Sequence, residues 1–206
     1  MRSSAKKVLH PWPLRVCHWI NVLVMVGMMM SGWGIYNASP LFDFTFPQVM
    51  TVGGWLGGNI AWHLAVMWLL AANGLIYLLW GLCSGHFKER FFPVSVASVW
   101  RDMRQALTFS LVHRAGHYNA VQKVMYLGVL LLGLLLVLSG LSIWKPVQFS
   151  GLVMLLGGFD IARYVHFFAM SGVLLFVIVH LLMVLLVPKT LPAMITGGRR
   201  KEPADE

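Results

Sequence analysis

The stretch Tyr164–Val187, YVHFFAMSGVLLFVIVHLLMVLLV, decides the fold. It contains no Asp, Glu, Lys or Arg, and it exceeds the roughly 20 apolar residues that a helix needs to cross about 30 Å of hydrocarbon. Three further runs share this character: Val16–Tyr36, Asn59–Leu82 and Val124–Trp144. A chain surrounded by lipid must satisfy its backbone internally, as helices or as a closed barrel. These runs are too long and too continuous for barrel strands. The expected fold is therefore all-α: an integral-membrane four-helix bundle forming one domain over residues 1–206, with helices at about 16–36, 59–82, 124–144 and 164–187. Composition agrees. The chain is 58% hydrophobic and 11% charged, with mean hydropathy +0.73, whereas about a quarter of a soluble domain is charged.

Charge sets the expected topology. Of 16 basic residues, 14 lie in the N-terminal segment, in the gap between the second and third runs (Lys88 to Lys123), or after Val187. Lys145 and Arg163 alone occupy the other two gaps. Four crossings put the first three segments on one side, and the excess of Lys and Arg makes that side cytoplasmic. Both termini are thus expected in the cytoplasm of a bacterium whose inner membrane holds the chain. The net charge of +9 is explained by this topology, so nucleic acid is not an expected partner. Trp12, Trp19, Trp33, Trp55, Trp62 and Trp144 fall at or near run ends, as interfacial aromatics do, while Trp68 and Trp80 read as ordinary packing. Residues 94–111 alternate apolar and charged side chains and predict a short interfacial helix on the cytoplasmic surface. Cys17 and Cys83 are expected to remain reduced thiols. No cleavable signal peptide is expected, because the first apolar run is full length and no A-x-A-like site follows it. No internal repeat and no low-complexity tract is evident in the residues.

Four of the eight histidines lie in or at the edge of the apolar runs: His18, His63, His166 and His180. Ionisable groups within a membrane are costly and point to function, although a single one is as often a packed, hydrogen-bonded residue. Here their depths match in pairs. His18, early in an outward helix, and His180, late in an inward one, fall at the cytoplasmic level. His63 and His166, each early in an inward helix, fall at the periplasmic level. His166 and His180 are 14 residues apart, close to four helical turns, so they share a face and are separated by roughly 21 Å. Two stacked haems with paired imidazole ligands fit this pattern. Two histidines at each depth, without Cys or carboxylate, make a poor zinc site. Gly32, Gly133 and Gly140 offer either clearance for a flat cofactor or close helix packing. Arg163, three residues before His166, is a candidate partner for a haem propionate, with a snorkelling interfacial arginine as the alternative.

The motifs RVCHW (Arg15–Trp19), His63 at the head of the second run, YNAVQK (Tyr118–Lys123) and H-x13-H (His166 to His180) together resemble the di-haem cytochrome b subunits of bacterial respiratory oxidoreductases. That family takes in the membrane subunits of formate dehydrogenase and nickel–iron hydrogenase, thiosulfate-reductase-type cytochrome b and the bacterial b561 proteins. The resemblance runs from Arg15 to Val187. It implies two haem b groups, ligated by His18 with His180 and by His63 with His166. It also implies a quinone near the cytoplasmic-side haem, touched by Asn119 and, more weakly, by Gln122 and His117. Asn119 has a competing reading as the cap of the third helix.

The sequence carries no iron–sulfur Cys cluster, no C-x-x-C-H and no nucleotide-binding glycine motif. The expected role is therefore an electron-transfer subunit rather than a complete enzyme. The resemblance implies that it works between membrane quinone or quinol and a periplasmic oxidoreductase subunit, such as a molybdopterin-dependent one, docked on residues 37–58 and 145–162. Two rivals share parts of the pattern: a stand-alone b561-type superoxide oxidase that reduces quinone, and a non-redox transporter or anchor. The absence of acidic residues from the helices weighs against an ordinary proton-coupled transporter.

Overall fold

A computed structural model describes residues 10–87, 96–107, 120–188 and 190–198. The expected all-α architecture is present, and among the described residues there is no strand. Four helices are long and apolar enough to cross a membrane: α1 (Trp12–Ala38), α2 (Leu56–Cys83), α4 (Ala120–Trp144) and α6 (Phe159–Leu186). Three short helices accompany them: α3 (Val96–Leu107), α5 (Ser150–Leu155) and α7 (Thr190–Thr196). The long helices start one or two turns earlier than hydropathy predicts, because a first turn tolerates residues that the membrane interior does not. At α1, Pro11 is the N-cap and Pro13 lies in the first turn, where a missing N–H costs nothing. At α6, Asp160 and Arg163 fall inside the helix, which begins after Gly158 at φ 108°.

The chain forms two compact units. The first comprises residues up to His86 together with the segment from Leu191 onward, and the second runs from Phe87 to Thr190. In the first unit α1 packs on α2. The α1 seam is Cys17, Val24 and Ser31, and the α2 seam is Asn59, Val66 and Asn73, all buried and each set spaced by sevens. That spacing keeps one narrow stripe facing its partner along a left-handed crossing. Small residues let the backbones close. A Cβ on Gly27 would stand 3.3 Å from Val66, and one on Gly34 would run into the Asn59 amide. In the second unit α4 packs on α6 through buried Ser139, Ser142, Ala162, Ala169 and Val173.

Outside these seams the helices are bare. Leu23 is 77% exposed, Leu131 65% and Leu185 76%. Water would not tolerate apolar surface on this scale, whereas lipid is the solvent it suits. Trp12 and Trp55 stand exposed at helix starts, as the aromatic pattern predicts. Trp33 does not: it is buried at 9% exposure and stacked on Phe46 with centroids 4.9 Å apart. The Asn37 amide draws Phe46 into that stack by bonding both its N–H and its carbonyl at 2.8 Å. Trp68, expected to be a packing residue, faces outward at 63% exposure. The short helix expected between the second and third apolar runs is found as α3, with Arg104 lying over Trp100 and Arg101 paired with Asp102 at 3.3 Å. Cys17 and Cys83 are both free thiols.

A repeat invisible in the residue string emerges in the register. Helices α2 and α6 are both 28 residues long, and each has its histidine at the eighth position, His63 and His166. Stepping from α2 to α6, the seam residues Asn59, Val66 and Asn73 become Ala162, Ala169 and Phe176. Stepping from α1 to α4, Val24, Ser31 and Gly34 become Leu132, Ser139 and Ser142. Each unit is a helix, a short helical turn (Gln48–Met50 or α5), a Gly-Gly pair at positive φ (Gly53–Gly54 or Gly157–Gly158), and a second long helix. The expectation of no internal repeat is thus corrected: few identities survive, but the hairpin is built twice.

A polar tie crosses the seam of the first hairpin toward the start of α1. The buried Asn73 amide donates to the Cys17 carbonyl at 2.9 Å and to the Asn21 side-chain oxygen at 2.7 Å. Interhelical bonds of this kind are worth about 1 kcal/mol in membrane helices. Asn73→Ala is expected to destabilise the α1–α2 hairpin by about that amount, read as a lower midpoint in thermal unfolding of the detergent-solubilised protein.

Candidate functional site

The loop end of each hairpin is built around one imidazole. In the first unit, His63 Nδ1 lies 2.9 Å from Ser31 Oγ. Ser31 is fully buried, and its hydroxyl stands 2.6 Å from the Gly27 carbonyl, one turn earlier on α1. A hydroxyl has one proton to donate, and the short bond to Gly27 uses it. Ser31 Oγ therefore accepts from Nδ1–H of His63, the tautomer that carries its lone pair on Nε2. Gly32 makes the contact possible: a Cβ there would stand 3.5 Å from His63 Cε1.

The second unit repeats this atom for atom. His166 Nδ1 lies 3.0 Å from Ser139 Oγ, and that hydroxyl stands 2.6 Å from the Leu135 carbonyl. A Cβ on Gly140 would stand 3.3 Å from His166 Cε1. The three glycines differ in what they face. Gly32 and Gly140 seat imidazole rings, while Gly133, one heptad earlier than Gly140, fronts open space with no described atom within 4 Å of a Cβ.

The other two histidines lie toward the opposite ends of their helices. His18 meets the Trp19 ring edge-on with centroids 5.3 Å apart. The Asn73 tie grips α1 at the adjacent Cys17. His180, 14 residues beyond His166 on α6, stacks at 6.0 Å on Phe176 and is exposed. Arg163 lies on α6 one turn before His166, and Gln122 lies in the first turn of α4. Asn119 and His117 lie outside the described residues.

Three groups absent from the sequence reading stand out. Arg15, one turn before His18, donates through Nη1 to the Ile195 carbonyl of α7, while its buried Nε has no partner. The backbone joins the same ends, with His10 N–H donating to the Gly197 carbonyl at 3.0 Å. Asn59, one turn before His63 and 3% exposed, has a buried Oδ1 without a partner. Ser31 and Ser139 are the third group. Their signal was present in the residues as a Ser-Gly dipeptide in the first and third apolar runs, though Ser171-Gly172 in the fourth run has the same form.

An imidazole whose Nδ1–H is held by an acceptor is fixed in the tautomer that offers Nε2 to a metal. Orphaned buried polar atoms one turn beyond His18 and His63 leave bonding capacity for a polar edge of a bound group. Among the described residues no three His, Cys, Asp or Glu side chains converge. The donor set consists of single, apolar-walled imidazoles, as suits the iron of a haem. The family model described as prokaryotic cytochrome b561 matches residues 9–197. The chain belongs to that family.

Over 190 residues, 92% of this cytochrome and 96% of the relative, it is 51% identical to the putative protein-methionine-sulfoxide reductase subunit YedZ1 of Azospira oryzae. Two probable Ni/Fe-hydrogenase B-type cytochrome subunits are each 23% identical. That of Bradyrhizobium diazoefficiens matches over 66% of this chain and 57% of its own, and that of Cupriavidus necator over 87% and 79%. No solved structure matches the chain significantly. The cytochrome is thus a multi-pass membrane protein of a haem-binding family whose relatives include oxidoreductase subunits.

Because Gly140 abuts the His166 ring, Gly140→Val is expected to push the imidazole aside and lower the haem-to-protein ratio of the purified cytochrome. Gly128→Ala on the same helix meets no described atom within 4 Å and should leave that ratio unchanged. Both are read from the Soret absorbance per chain.

Proposed function

We propose that this cytochrome is the membrane subunit of a periplasmic reductase, carrying electrons from quinol through two haem b groups. The observation that carries the reading is the pair of serine-held histidines, His63 and His166, each bonded through Nδ1 to a buried serine of its own hairpin. Paired with each other, and with His18 paired to His180, they supply the four ligands that two haems require. Haem b bound at such ligands supplies a one-electron Fe(III)/Fe(II) couple.

The chain's own groups have definable tasks. His18, His63, His166 and His180 bind iron. Arg163 and Arg15, each one turn from a ligand, hold propionates, and the unpartnered Nε of Arg15 has the donor that a carboxylate needs. Asn119, with Gln122 and His117, contacts quinol near the cytoplasmic-side haem. The apolar walls keep water from the ligands. The termini and α3 lie on the cytoplasmic side of the inner membrane, where the excess of Lys and Arg sits.

The relative from Azospira oryzae carries a name that points to the partner and to the direction of flow. By that likeness the partner is a periplasmic subunit that reduces methionine sulfoxide. Quinol gives two electrons and two protons to become quinone. The sulfoxide takes two of each and leaves as thioether and water. The cytochrome conducts the electrons, and the partner performs the oxygen removal.

The test is a haem count with visible spectra on the purified chain. About two haem b per chain are expected, one for each histidine pair, and His18→Ala and His63→Ala should each remove one. A colourless protein from haem-replete cells would overturn the reading. Reconstituted with its partner, the cytochrome should couple quinol oxidation to loss of methionine sulfoxide, and Asn119→Ala should slow the quinol step while leaving the haem count intact.

A further inference from the structure

The Ser–His bond occurs once in each hairpin, at the same register position and with the same geometry: 2.9 Å at Ser31–His63 and 3.0 Å at Ser139–His166. Each serine is fully buried. Each spends its single proton on the carbonyl four residues back at 2.6 Å. A buried hydroxyl so committed can act toward the imidazole only as an acceptor.

We infer that Ser31 and Ser139 are positioning residues, each fixing the imidazole that it bonds within its own hairpin and lowering the midpoint potential of the haem which that imidazole would ligate. This rests on the reading of His63 and His166 as haem ligands. Drawing on Nδ1–H makes the ring a stronger electron donor through Nε2. A stronger axial donor favours ferric over ferrous iron, so the potential falls. The back-bond to the i−4 carbonyl also locks the hydroxyl in place, so each ring is held against rotation as well as polarised.

The experiment is a spectroscopic redox titration of the purified holoprotein, with the haem count measured in parallel. Ser31→Ala and Ser139→Ala are each expected to raise a haem midpoint with the haem count unchanged. Ser→Thr keeps the hydroxyl and should retain the parent potential at either site. Ser→Cys is close in size but offers a poor acceptor, and should raise the midpoint without loss of haem. If an alanine variant loses haem, the Thr and Cys pair still decides: parent potential in Thr with an upward shift in Cys supports the inference. Unmoved midpoints in the Ala and Cys variants at full haem content would overturn it, leaving the histidine ligands standing. Retention of both haems in His63→Ala would instead sink the ligand reading beneath it.

Discussion

Hydrocarbon offers an imidazole nothing to bond, so the second nitrogen of each membrane-embedded histidine must be satisfied by the protein. At the loop end of each hairpin a serine on the neighbouring helix meets that demand, and much of the local structure follows from it. The serine must itself be satisfied, so it bonds back along its own helix. The helices must approach closely enough for a short side chain to span the gap, so glycine follows serine at Gly32 and Gly140. Close approach over one contact demands it over the whole seam, hence the small or β-branched residues at Val24, Gly27, Val66 and Ala169. A leucine at position 31 would suit the lipid and ruin the site.

The doubled hairpin shows which features the architecture requires and which it lets drift. Ser-Gly on the first helix and His on the second are kept in both copies. The seam volumes are exchanged instead. Gly34 faces the large Asn59 in one copy, and the equivalent positions in the other are Ser142 and Ala162, so bulk moves from one helix to its partner. The other histidines break the repeat. The position of His18 on α1 is Tyr126 on α4, and the position of His180 on α6 is Tyr77 on α2. Each hairpin therefore keeps one such histidine, on its first helix in one copy and on its second in the other. Uniform repetition would have given four candidate ligands at that level. On the ligand reading proposed above, the tyrosines leave two, the number that a six-coordinate haem iron takes.

Helix count, helix type and the four histidines were legible in the sequence because they rest on strong local signals: uninterrupted apolar runs and ionisable residues inside them. Helix starts were less so, since Asp160 and Arg163 look like loop residues until α6 is seen to begin before them. Trp33 was misread because its burial depends on Phe46, which a side-chain amide nine residues away, Asn37, pulls across the helix end. The serines were missed for a different reason. A serine in an apolar run has an ordinary meaning, bonding its own i−4 carbonyl, and only the partner helix shows that it does this and accepts from histidine as well. The repeat was hidden because its conserved content is a register and three residue types, diluted among interchangeable Leu, Val and Met. Of the residues read as the quinone site, Asn119 and His117 lie outside the described residues, so sequence alone speaks for them.

The two ends of the first hairpin are secured by different chemistry, and the difference bears on function. At the loop end the bonds run from serine to the ring of His63, so they constrain a side chain. At the other end Asn73 grips the backbone carbonyl of Cys17 and the side chain of Asn21, while Arg15 and His10 tie the start of α1 to the carbonyls of Ile195 and Gly197. Those bonds fix the helix that carries His18. Anchoring a helix positions a ligand, but it leaves the ligand's electron donation alone. Bonding the ring does both. Where the ligand type is the same at every position, the potential of a haem is tuned outside the first coordination sphere. On the reading proposed above, the serine bonds at His63 and His166 act there.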